Sequence, residues 1–322
     1  MQSKKGKVGL IIVLICLSAG VFIGNKRQYI YDQARLYGYQ PPESFVQLAT
    51  DTSMNDKSRN ILYVQHPELN DKETFNNNCR FDEQTIVLGC YILHKGIYVY
   101  DITDDRLAGV RQVTTAHEML HAAYDRLSVK ERAQVDAMTA AAYEKLDNAR
   151  IKNVIILYRK ANANVSNELH SILGTEVRNL PSDLEAYYKK YFNDRTAVVG
   201  YSEKYEQVFT ERKDKIDKMD NTLSSMKVSI EQAEAELNAE NIDITNRRQA
   251  LDQKFSAGQY SLYNSSVNSF NASIRAYNSK VAGTKAQIDE YNRIIEERNA
   301  IAIEEQTLYK AIDSRLTTQT NK

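Results

Sequence analysis

The sequence predicts three parts in series: an N-terminal transmembrane helix, an α+β domain built from a small sheet and several helices, and an all-α antiparallel coiled-coil hairpin. Three observations carry this reading. An apolar run lies between lysines within residues 1–28. Residues 60–195 mix β-rich stretches with amphipathic helical patterns. Residues 196–318 carry a heptad repeat that is broken once. Residues 29–59 read as a linker, with one short helix in Glu43–Lys57 after Pro41 and Pro42.

The N-terminal apolar stretch runs 17 residues from Val8 to Gly24. That is at the short end of a membrane span, which needs about 20. Ser18-Ala19-Gly20 offers small residues of the kind a signal peptidase accepts, but Val21, Phe22 and Ile23 continue the run past that point, so it reads as an uncleaved anchor. Lys4, Lys5 and Lys7 outweigh Lys26 and Arg27. The bias places the N-terminus in the cytoplasm and everything after the span outside it, giving a single-pass cell-membrane protein. Cys16 falls in the span; Cys79 and Cys90 read either as a disulfide, favoured outside the cytoplasm, or as two buried thiols.

In the α+β part, "NILYVQHPEL" (Asn60 to Leu69) reads as a strand closed by Pro67. "TIVLGCYILHKGIYVYDIT" (Thr85 to Thr103) is rich in Ile, Val and Tyr around a His-Lys-Gly turn, and reads as a hairpin leading into the next helix. That helix carries Leu107, Val110, Val113, Leu120, Ala123 and Leu127 at three- and four-residue steps, with Asp104 and Asp105 where they favour its N-terminus. Ser128 with Glu131, and later Ser182 with Glu185, are capping boxes that open further helices.

Inside the first of these helices sits HEMLH, with His117, Glu118 and His121. Residues four apart on a helix stack on one face, so both imidazoles can aim at one point, and Glu118 flanks that face. The pattern is that of a catalytic zinc site, in which two histidines bind the ion and the glutamate moves protons to and from a water. The HExxHxxGxxH continuation is absent, because His121 is followed by AAYDRLS, and no CxxC pair supplies thiolates. A third, acidic ligand must therefore come from further along the chain.

Together with "NVSNELHSILGTE" (Asn164 to Glu176), the motif resembles gluzincin-type zinc metallopeptidases over about Ile61 to Phe192. The NELHS segment is similar to the one with which that family supplies a glutamate ligand. The resemblance implies a zincin-like fold, Zn²⁺ as cofactor, His117, His121 and Glu168 as ligands, and Glu118 as general base. It also implies a sheet edge that holds peptide substrate by strand addition. One departure stands out: Ile172 lies where the family has an aspartate, which keeps Glu176 and His170 as rival ligands.

Beyond Pro181 the chain turns polar and helical. Ile216, Met219, Leu223, Met226, Ile230, Ala233, Leu237, Glu240, Ile244, Arg247 and Leu251 keep a heptad spacing. "FSAGQYSLYNSS" (Phe255 to Ser266) interrupts it, and the pattern resumes from Val267 through Phe270, Ile274, Tyr277, Val281, Thr284, Ile288, Tyr291 and Ile295. Two matched arms of ~50 residues, ~75 Å each, predict an antiparallel hairpin able to bind a protein partner. With 42 basic and 42 acidic residues, nothing in the charge balance favours a nucleic acid. Two functions of different class fit: a membrane-anchored zinc metallopeptidase acting on proteins or peptides outside the cytoplasm, and a non-enzymatic envelope scaffold carrying an inactive zincin-like domain. Glu118 speaks for the first, since a purely structural zinc needs no base.

Overall fold

The computed structural model describes residues 27–79, 86–161 and 163–315. The Val8–Gly24 run lies outside them, and no helix among the described residues is long and apolar enough to cross a membrane. The chain divides into two compact units, one reaching Val208 and resuming at Leu308, the other spanning Phe209–Thr307.

The first unit is α+β. It begins with helix α1 (residues 27–36), followed by α2 (Glu43–Asp51) and α3 (Asp56–Val64). Then come strand β1 (Glu68–Asn70), helix α4 (Lys72–Asn78) and the hairpin β2 (Gly89–Ile92) and β3 (Gly96–Tyr100). In the three-stranded sheet β3 is central, parallel to β1 and antiparallel to β2, so β2 is an edge among the described residues. The hairpin turn falls at Leu93-His94-Lys95, as the sequence suggests, and Cys79 and Cys90 form a disulfide that ties the end of α4 to β2.

Several expectations need correction. Asn60–Leu69 is a strand only at its last two residues, Glu68 and Leu69 of β1: its first half is the end of α3, where the Asn55 side chain accepts the Ser58 N–H and Ile61, Leu62 and Val64 are buried. Burial against the core overrides the strand propensity of Ile-Leu-Tyr-Val. Residues 29–59 are not a linker either, since Phe45, Leu48 and Ala49 of α2 belong to the main core. Asp104 caps only a single 3₁₀ turn, Asp105–Leu107. The HEMLH helix, α5 (Val110–Asp125), starts instead at Gly109, whose φ of 112° and close approach to the Tyr201 carbonyl exclude a side chain.

Helices α6 (Val129–Glu144), α7 (Ala149–Lys160), α8 (Val165–Glu176) and α9 (Ser182–Tyr188) complete the unit. Ser128 and Glu131 form the expected capping box on α6. Ser182 does not cap α9; Pro181 stands at that position and makes no side-chain cap bond. Helix α5 lies at the centre, with Ala116, Met119, Leu120 and Ala123 buried, and α8 packs along it. Gly174 of α8 permits this: a Cβ there would lie 2.5 Å from Leu120 Cδ1 and 2.8 Å from Tyr188 Cε1.

The second unit is a helical hairpin formed by α10 (Arg195–Ser256) from Phe209 on and by α11 (Tyr260–Ile312) as far as Thr307. Arg298 pairs with Asp220, Arg212 with Glu304 and Lys280 with Glu236, which fixes the arms as antiparallel. The heptad residues of both arms are at least partly covered, except Arg247 and Val281. The break is shorter than Phe255–Ser266: only residues 257–259 leave the helix, because the polar residues that follow still form regular turns of α11. The unit boundaries also differ from 196–318, since the first turns of α10 bury Val198 and Val199 in the main core.

Candidate metal centre

His117 and His121 sit one above the other on α5, their ring centroids 4.7 Å apart, and α8 brings Glu168 up to both. The Glu168 Oε2 lies 3.7 Å from Nε2 of His117 and 3.7 Å from Nε2 of His121. This oxygen is buried and has no hydrogen-bond partner among the described residues. A buried carboxylate oxygen that lacks a hydrogen bond and faces two imidazole nitrogens is costly unless a cation, either a protonated His117 or a metal ion, compensates it. With zinc–ligand bonds near 2.0–2.1 Å, neighbouring ligand atoms of a tetrahedron stand about 3.4 Å apart, so the two Glu168 spacings need only a small contraction.

The tautomer of His121 agrees. Its Nδ1–H donates to the Asn167 Oδ1 at 3.0 Å, which leaves the Nε2 lone pair facing Glu168. Burial, then the His117 charge, bring the His121 pKa down to about 4, so the ring is neutral. In the metal-free protein burial disfavours a charged His117, but the Glu168 and Glu118 carboxylates outweigh it and raise its pKa to about 9. Burial likewise opposes the Glu168 charge, yet His117, His121 and a hydrogen bond from Tyr158 hold its pKa below the usual range.

Glu118 is 5% exposed, and its carboxylate comes within 4.8 Å of both imidazoles. It accepts the backbone N–H of Tyr91, and burial raises its pKa to about 7. Strand β2 presses directly on it. A Cβ at Gly89 would stand 2.8 Å from both Cγ and Oε1 of Glu118, and 2.5 Å from Thr114 Cγ2. The site opens into a cavity of about 290 Å³ walled by β2 (Gly89, Tyr91) and by Tyr158 and Asp125.

The rival ligands lie elsewhere. Glu176 is bound by Arg150 at 2.6 Å. His170 is fully buried, bonded through Nε2 to the Tyr187 hydroxyl at 2.9 Å, and burial lowers its pKa to about 3. Rings of Tyr124, Tyr188 and Tyr191 surround it, so it is a neutral packing residue. The residues that sequence reasoning missed are Asn167, Tyr158 and Gly89. Only Asn167 left a signal, standing next to Glu168 one helical residue earlier.

No family model matches the chain, and no curated protein or solved structure matches it.

Proposed function

We propose that the chain is a zinc-dependent metallopeptidase of gluzincin type, anchored in the cell membrane by its N-terminal segment and hydrolysing peptide bonds outside the cytoplasm. The observation that supports it is the convergence of two imidazole nitrogens on one orphaned, buried carboxylate oxygen, with a second buried carboxylate beside them.

His117, His121 and Glu168 would hold the ion, and Asn167 fixes the His121 tautomer that binding requires. When bound, zinc supplies Lewis acidity to a water and to a scissile carbonyl. Glu118 does the proton work: its carboxylate takes the proton from the attacking water and delivers it to the departing amine. The Tyr91 N–H holds that carboxylate in place. The outer edge of β2 borders the cavity, where an extended peptide can lie against backbone groups. Tyr158, hydrogen-bonded to Glu168, also lines the cavity.

The test uses the full chain in detergent. It should carry close to one zinc per molecule, lost when His117 and His121 both become Ala. Glu118→Gln should keep the zinc and the fold while peptide hydrolysis falls at least about a hundredfold, since the amide cannot accept the proton. A folded, zinc-loaded wild type that cleaves no member of a broad peptide library would favour a scaffold.

A further inference from the structure

Helix α1 begins three residues after the apolar N-terminal run ends at Gly24, and it is bound firmly to the wall of the candidate site. Arg126, next to Asp125 at the end of α5, pairs with Asp32 at 3.0 Å. Arg35 donates to the carbonyls of Val64 and Lys95, and the Tyr31 ring meets that of His94 at 5.3 Å. These bonds join α1 to the β2–β3 turn and to the end of the HEMLH helix.

The consequence is a distance limit. Gln28 and Tyr31 line a crevice together with Tyr91, Leu93 and Asp125, and those last three also line the zinc cavity. Gln28 is only four residues beyond Gly24, at most about 14 Å of fully extended chain. The side chains around this junction suit a bilayer interface. Tyr29 is 62% exposed, Ile30 45% and Leu93 55%, while Lys26 and Arg27 precede them in sequence. Aromatic and apolar side chains next to cationic ones are what membrane–water interfaces collect.

Resting on the anchored-peptidase reading, we infer that the candidate site opens at the outer membrane surface, and that its substrates are peptide segments of membrane-bound proteins lying close to the bilayer. The occupant of the exposed Tyr29 and Ile30 side chains on α1 and of the exposed Leu93 on the β2–β3 turn is lipid. A free peptide in solution reaches the cavity only from the side away from the membrane, whereas a segment leaving the bilayer arrives already beside β2.

Full chain carrying Cys16→Ser, with either Lys95→Cys or Ile30→Cys bearing a fluorophore, is reconstituted in vesicles. Nitroxides on the lipid headgroups should quench both labels at least about twofold more than aqueous iodide does. Labels reached by iodide alone, or by neither quencher because protein covers the face, overturn the placement. So does mature protein lacking the Val8–Gly24 run. In a second arm, a random decapeptide mixture is joined to a single-span helix, either directly or through a ~60-residue flexible spacer that carries it roughly 40 Å away. Direct attachment should give cleavage at least about tenfold faster. Equal rates overturn the substrate class while leaving the peptidase intact. Quenching without cleavage of either form keeps the placement and removes the peptidase.

Discussion

Gly89→Ala tests whether β2 sets the position of Glu118. The added methyl carbon would sit 2.5 Å from Thr114 Cγ2 and 2.8 Å from Glu118 Cγ and Oε1, all well inside contact distance. Thr114 is β-branched and buried, so its methyl cannot swing aside cheaply. Either β2 lifts off α5 or the Glu118 side chain moves. Overpacking of this kind costs about 1–3 kcal/mol, which for a unit of this size lowers the melting temperature by about 2 to 12 °C. Whichever group moves, the Tyr91 N–H to Glu118 bond is disturbed, and hydrolysis should fall at least about tenfold with zinc retained. Thr114→Ser removes only the methyl responsible for the closest contact. Combined with Gly89→Ala, it should recover at least half of the lost melting temperature without restoring hydrolysis, because the contact with Glu118 remains. The measurements are thermal unfolding at fixed zinc, metal content and turnover of one peptide. A Gly89→Ala chain that melts and cleaves like wild type would refute the reasoning.

Three further outcomes follow from the same geometry. Glu168→Gln should weaken zinc binding strongly while Glu176→Gln leaves it within about twofold, since Arg150 already holds Glu176; metal lost only from the second variant would reassign the ligand. Asn167→Ala should weaken zinc binding about 10- to 100-fold by freeing the His121 ring, measured by competition with a chromogenic chelator; unchanged affinity would leave Asn167 no part in orienting it. Cys79 and Cys90 should resist alkylation until reduced, and replacing both with Ser should cost about 2–4 kcal/mol, read as a fall in melting temperature; rapid labelling of the oxidised protein would contradict the bridge.

What the sequence made legible was whatever depends on local spacing. His117 and His121 share a face because they are four apart on one helix, and the heptads show the hairpin arms for the same reason. Glu168 was reached through resemblance, not through geometry. Asn167, Tyr158 and Gly89 were out of reach because their roles arise only when α8, α7 and β2 pack on α5. The misread segments share one cause. Asn60 to Val64 has strand-forming residues, but its capping Asn55 and its burial decide for helix. Asp104 and Asp105 look like a helix start, yet the chain first makes a 3₁₀ turn, and the close approach of Tyr201 fixes the true start at Gly109.

The candidate metal centre also explains why the hairpin helix cannot be detached at its first residue. Two of the candidate ligands ride on α5 and the third on α8, so their spacing is set by how closely these helices meet. Gly174 allows that approach, with Leu120 and Tyr188 closing over it. The C-terminal end of α8 is then clamped by one side chain from α10. The Arg195 guanidinium donates to the carbonyls of Val177 at 2.6 Å and Arg178 at 2.8 Å, and pairs with Glu185 of α9. Arg195 is 6% exposed, so these bonds satisfy a buried cation that would otherwise be costly. Val198 and Val199, one turn later, fill the main core. The first turns of α10 therefore belong to the frame that holds Glu168 against the two histidines. A heptad pattern read from sequence gives no sign of this, because the residues that do the clamping lie before its first repeat.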